Sequence, residues 1–88
     1  MSINNDPDVQ ALFDVILKLK TKQDCMALFD DLCTINEVLA MSQRIKAARM
    51  LKEGKTYGQI TEITDISSAT LSRISKCLKY GEGYKKFI

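Results

Sequence analysis

With 88 residues, 45% of them hydrophobic and 27% charged, and with one Pro and four Gly, the composition is that of a globular domain, neither disordered nor membrane-bound. No apolar run approaches the roughly 20 residues that span a bilayer, and the N-terminal MSINNDPDVQ has neither the basic nor the apolar stretch of a secretion signal, so a cytoplasmic location is expected. The net charge of +2 is unevenly spread: residues 1–40 carry three Lys against seven acids, a balance of −4, and residues 41–88 carry ten bases against four acids, a balance of +6.

Asp6-Pro7 announces the first helix, because Asp caps the first free N–H groups and a proline at the first helical position gives up no bond. Val9, Leu12, Phe13, Ile16 and Leu17 then fall on one stripe. Thr21, with Asp24 three residues on, opens a second helix by a weaker form of the capping box. Its Cys25, Met26, Leu28, Phe29, Leu32 and Cys33 form an apolar arc too wide for one small domain to cover. A chain of this length hides only roughly 60 to 65% of its unfolded surface when it folds alone. Residues 8–33 are therefore read as dimerisation helices of a single domain.

Thr34 with Glu37 forms a capping box and opens the longest helix, 35–53, which Gly54 ends as the C′ residue. Its apolar line runs through Val38, Met41, Ile45 and Ala48, and Arg44, Lys46, Arg49 and Lys52 load its later turns with positive charge. Thr56 with Gln59 is a further box, predicting a helix over 57–64. A turn at 65–67 follows, and Ser67 caps a helix over 68–79. Two helices joined by so short a turn make a helix-turn-helix, here residues 56–79. Ile60, Ile63, Ile66, Leu71, Ile74 and Leu78 are expected to pack the pair together. The tail, 81–88, is flexible by its glycines, with Tyr84 and Phe87 able to dock on the core.

The chain has no His, no Gly-rich phosphate loop and no C-x-x-C, so neither catalysis nor a metal site is expected. Cys25, Cys33 and Cys77 read as buried reduced thiols. The outer face of the last long helix is different in kind: Ser68, Ala69, Thr70, Ser72, Arg73 and Lys76 are small, hydrogen-bonding or cationic, with no acid among them. A major groove about 12 Å wide admits such a helix, its N-terminal side chains meeting base edges. The basic half of the chain supplies the cations that neutralise phosphates. A protein-docking face on a helical dimer is the competing expectation for the same residues.

Residues 56–74, TYGQITEITDISSATLSRI, resemble the bacterial repressor helix-turn-helix, with Asp65 where Gly is usual and Thr64 where an apolar residue is usual. The resemblance widens: T-x-x-E-x-x-A-x-x-x-R, formed by Thr34, Glu37, Ala40 and Arg44, followed by a Gly and the helix-turn-helix, is similar to the tryptophan repressor family. The ending SRISKCLKYG is similar to its YerC/YecD branch, from Gram-positive bacteria. This resemblance implies an all-α, intertwined homodimer of about six helices per chain that regulates transcription by binding a palindromic double-stranded DNA site. It maps base reading onto Ser68, Ala69, Thr70 and Ser72, and backbone contacts onto Tyr57, Gly58 and Ser67, with Arg73 and Lys76 as cations. In that family two arginines hold tryptophan, and their positions correspond to Arg44 and Arg73. A Gly that leaves room for the indole is Ile74 here, and a nearby Ser is Cys77. The expectation is a pocket plugged by Ile74 and DNA binding without tryptophan or any other cofactor.

Overall fold

The computed structural model describes residues 2–88 and is all-helical, with six α-helices and no strand among the described residues. They are α1 (Pro7–Ile16), α2 (Lys22–Leu32), α3 (Ile35–Lys52), α4 (Tyr57–Ile63), α5 (Ser68–Tyr80) and α6 (Gly83–Phe87). None of them is long and apolar enough to cross a membrane, and no group of His, Cys, Asp and Glu among the described residues could hold a metal ion. The chain divides into two compact units, one ending at Thr34 and the other Ile35–Ile88.

In the first unit the caps predicted from sequence form. The Asp6 carboxylate accepts from the N–H groups of Asp8 at 2.8 Å and Val9 at 3.1 Å, ahead of Pro7. The Thr21 hydroxyl accepts from the Asp24 N–H at 3.1 Å. The Asp24 carboxylate, however, accepts from Lys20, one residue upstream of the cap, so the reciprocal bond of a true box is displaced by one residue. Neither α1 nor α2 buries a single residue. Leu12, Leu17, Met26 and Leu32 are all exposed, and Leu17 is 81% exposed.

The second unit holds the core. Ala47, Ala48 and Met50 of α3, Ile60 of α4, and Leu71 and Ile74 of α5 are buried together, flanked by Leu51, Ile66, Leu78, Tyr84 and Ile88. Fully burying a side chain such as Ile60 or Leu71 is worth roughly 1.5 to 3 kcal/mol. At Ala47 and Ala48 the inner face of α3 carries nothing beyond Cβ, which lets its neighbours approach closely there. α3 ends in a Schellman motif: the Gly54 N–H donates to Leu51 at 3.1 Å, the Lys55 N–H donates to Met50 at 3.0 Å, and Gly54 stands at φ +87°, where an L side chain is strained. The Thr56–Gln59 box forms in both directions.

Four expectations need correcting. Of the α3 line Val38, Met41, Ile45 and Ala48, only Ala48 is buried; the other three are exposed, and the buried face is completed by Ala47 and Met50, which lie off that line. Ile63 is 57% exposed and does not join the helix-turn-helix core. Thr64 is buried instead, and its hydroxyl donates to the Ile60 carbonyl at 2.8 Å while accepting from the Ile66 N–H at 3.4 Å. A polar residue is tolerated at this core position because its one hydroxyl has both partners. The three thiols are free but only half-buried. The tail is not a loose strand but forms α6, with Tyr84 and Ile88 on the core and Phe87 exposed.

Candidate nucleic-acid interface

α4 and α5 are locked from the inside. Ile60 is the buried residue of α4, and Leu71 and Ile74, at i and i+3, are those of α5. This fixes what remains outside: Ser68, Ala69, Ser72, Arg73 and Lys76 are all exposed, along a helix with no acid between Ile66 and Lys79. Tyr57 and Gly58 are exposed at the start of α4.

Two of the nine predicted contact residues are already engaged within the chain. Ser67 is the N-cap of α5: its hydroxyl oxygen accepts from the Thr70 N–H at 3.2 Å, and its O–H donates to the Thr70 hydroxyl at 3.1 Å. Thr70 is half-buried and lines the clefts between α5 and α3 together with Arg44. The structure thus brings Ser68, Ala69, Ser72, Arg73 and Lys76 onto one open face, and turns Thr70 toward α3.

α4 itself presents Tyr57, Gly58, Gln59, Thr61, Glu62 and Ile63 to solvent and carries no cation. Lys55 precedes it in the loop, and Lys76 and Lys79 follow on α5. The positive charge of the head is therefore concentrated on α5 and its flanks.

Arg44, Arg73, Ile74 and Cys77, the predicted effector positions, do come together, lining a cleft of about 250 Å³ with Thr70 and Tyr84. Ile74 does not plug it as expected. Its side chain is 3% exposed and lies in the core, so it forms a wall and leaves the space beside it open. A second cleft of about 450 Å³ lies between the first half of α3 and the α4–α5 turn, bounded by residues including Leu39, Gln43, Arg44 and Asp65. The docking of Tyr84 on the core was anticipated in the sequence, but its place in this cleft was not. Its only signal was the i, i+4 spacing of Tyr84 and Ile88.

The chain is similar to several known proteins. The profile of the Trp repressor protein family matches residues 7–88. The uncharacterized protein YerC of Bacillus subtilis (strain 168) is 50% identical over 74 residues, 84% of this chain and 71% of that protein. Among solved structures, a TrpR-like protein from Eubacterium eligens ATCC 27750 has a TM-score of 0.85 at 43% identity. A candidate Trp repressor from Staphylococcus aureus has the same TM-score at 40% identity. Each aligns over 97% of this chain and 88% of its own.

Proposed function

Since the chain belongs to the Trp repressor protein family, we propose that it is a homodimeric transcriptional regulator, a repressor, that reads a palindromic DNA site with the outer face of α5. Membership supports a DNA-binding regulator rather than an enzyme at the level of the family. The observation that carries the finer reading is the open face of Ser68, Ala69, Ser72, Arg73 and Lys76, acid-free and fixed from behind by Leu71 and Ile74. Hydroxyl and methyl groups of that size meet base edges, and Arg73 and Lys76 meet guanine or phosphate. Ser67 and Thr70 act at the start of the reading helix, Tyr57 and Gly58 beside the backbone. The helices of residues 8–33 supply the shared dimer core, for which the exposed stripes of α1 and α2 are the support.

Titration of labelled duplex DNA across a salt series tests this. Affinity is expected to fall linearly on a log–log plot, because phosphate neutralisation releases counterions. Site selection from a random pool is expected to return a palindrome with half-site centres about 34 Å apart. Absence of salt-dependent affinity would mark the face as a protein-docking surface instead. Within the same series, Lys76→Ala is expected to reduce the salt slope by about 1 while leaving the selected sequence unchanged.

Tryptophan is not proposed as corepressor. Arg44 and Arg73 could hold its carboxylate, but the open cleft beside them is narrowed by the Ile74 wall, and enlarging it by displacing this buried Ile from its packing costs on the order of 1 to 3 kcal/mol. Isothermal calorimetry with tryptophan is expected to show no stoichiometric micromolar binding. A saturating one-to-one isotherm per chain would overturn this part of the reading.

A further inference from the structure

α6 has no part in the DNA-reading face, yet it is ordered. Five residues are far too few to hold a helix in water alone, so its order comes from what it docks on. Tyr84 and Ile88, one turn apart, both lie on the core that α3, α4 and α5 build from Ala47, Ala48, Met50, Ile60, Leu71 and Ile74. Tyr84 also walls the cleft that has Arg44 of α3 on one side and Thr70, Arg73, Ile74 and Cys77 of α5 on the other. Two exposed arginines, Arg44 and Arg73, line that seam. The approach of α6 depends on Gly81: its N–H donates to the Cys77 carbonyl at 2.9 Å, and a Cβ there would stand 2.8 Å from the same oxygen.

We infer that α6 is a built-in strap: Tyr84, seated at the α3–α5 seam beside Arg44 and Arg73, fixes the reading helix against α3. It does from within the chain what a small molecule bound at that seam would do, so the head is set for DNA without a ligand. The functional meaning of the strap rests on the DNA-reading role of α5, whereas the strap itself is visible in the free protein. Tyr84 is here a positioning residue, acting through α5.

The test compares the full-length wild type, Tyr84→Ala and Tyr84→Phe by element-resolved amide hydrogen exchange and by binding to the selected DNA site. Tyr84→Ala is expected to speed exchange in α4 and α5 about tenfold while leaving residues 2–34 unchanged, since local opening free energies differ between cooperative units. Its affinity for the site is expected to fall about tenfold with an unaltered salt slope, because no phosphate contact is removed. Tyr84→Phe, which keeps the ring, should match the wild type, and millimolar p-cresol should slow the exchange of Tyr84→Ala again. Wild-type exchange rates in Tyr84→Ala, or an acceleration spread evenly along the chain, would overturn the strap. A wild type that binds no DNA while the exchange contrast persists would leave the strap standing and remove the DNA-reading role instead.

Discussion

Leu71→Ala is expected to destabilise the second unit by about 2 to 5 kcal/mol, the range for truncating a buried leucine without collapse of the site. Leu71 is fully buried and lies in the same cluster as Ile60, so the space it leaves is bounded by three helices. Set against a typical stability of roughly 5 to 15 kcal/mol, such a loss removes a large share of what holds the chain folded. DNA binding falls with it, because Leu71 and Ile74 are the residues that aim the opposite face of α5 outward. Ile63→Ala provides the contrast: the residue is 57% exposed, and its truncation is expected to change stability by no more than about 0.5 kcal/mol. Urea unfolding of both variants decides the matter, and equal midpoints for the two would refute the assignment of the core.

The second large effect concerns assembly. If the proposed dimer forms through α1 and α2, Leu12→Asp is expected to convert it to monomer in sedimentation velocity and to weaken binding to the proposed palindrome by about 100-fold or more, because a single head loses the effective concentration supplied by its twin. The reasoning begins from α1 and α2, which bury nothing on their own although Leu12, Leu17, Met26 and Leu32 are available. A carboxylate placed in a stripe that a partner covers must be desolvated or must push the partner away. Dimers of unchanged mass with Leu12→Asp would place the assembly surface elsewhere, for which the exposed Val38, Met41 and Ile45 of α3 are the alternative apolar face.

The caps were legible in the sequence because they are local. Asp6, Thr21, Ser67 and the Thr56–Gln59 pair each bond groups no more than three residues away, and the positions of α1, α2, α4 and α5 follow from them. The core was less legible, for reasons that differ by element. α4 is seven residues long, and with Ile60 as its anchor both Ile63 at i+3 and Thr64 at i+4 lie within reach of the buried side. Hydrophobicity favours the isoleucine, but the structure buries the threonine because its hydroxyl closes the helix and opens the turn with one group. α3 is apolar on more than one side, so periodicity placed Ala48 on the apolar line but could not say that Ala47 and Met50, rather than Val38 and Met41, would join it in the core. α6 was hidden by Gly81 and Gly83, which read as looseness. What orders it is the core that α3, α4 and α5 build together, on which Tyr84 and Ile88 pack.

The absence of cations from α4 bears on how such a regulator would find its target. A protein that grips phosphate along both helices of its head dwells on any stretch of duplex, and most copies at any moment are held by the wrong sequence. With the positive charge gathered on α5, where the proposed base-reading side chains also stand, the general grip would be weakened while the discriminating contacts are kept. The ratio between target and background binding, multiplied by the vast excess of background sites in a genome, sets occupancy. A head built this way would leave a larger share of its copies free to search, so occupancy of the proposed site would respond sharply to how many copies the cell makes.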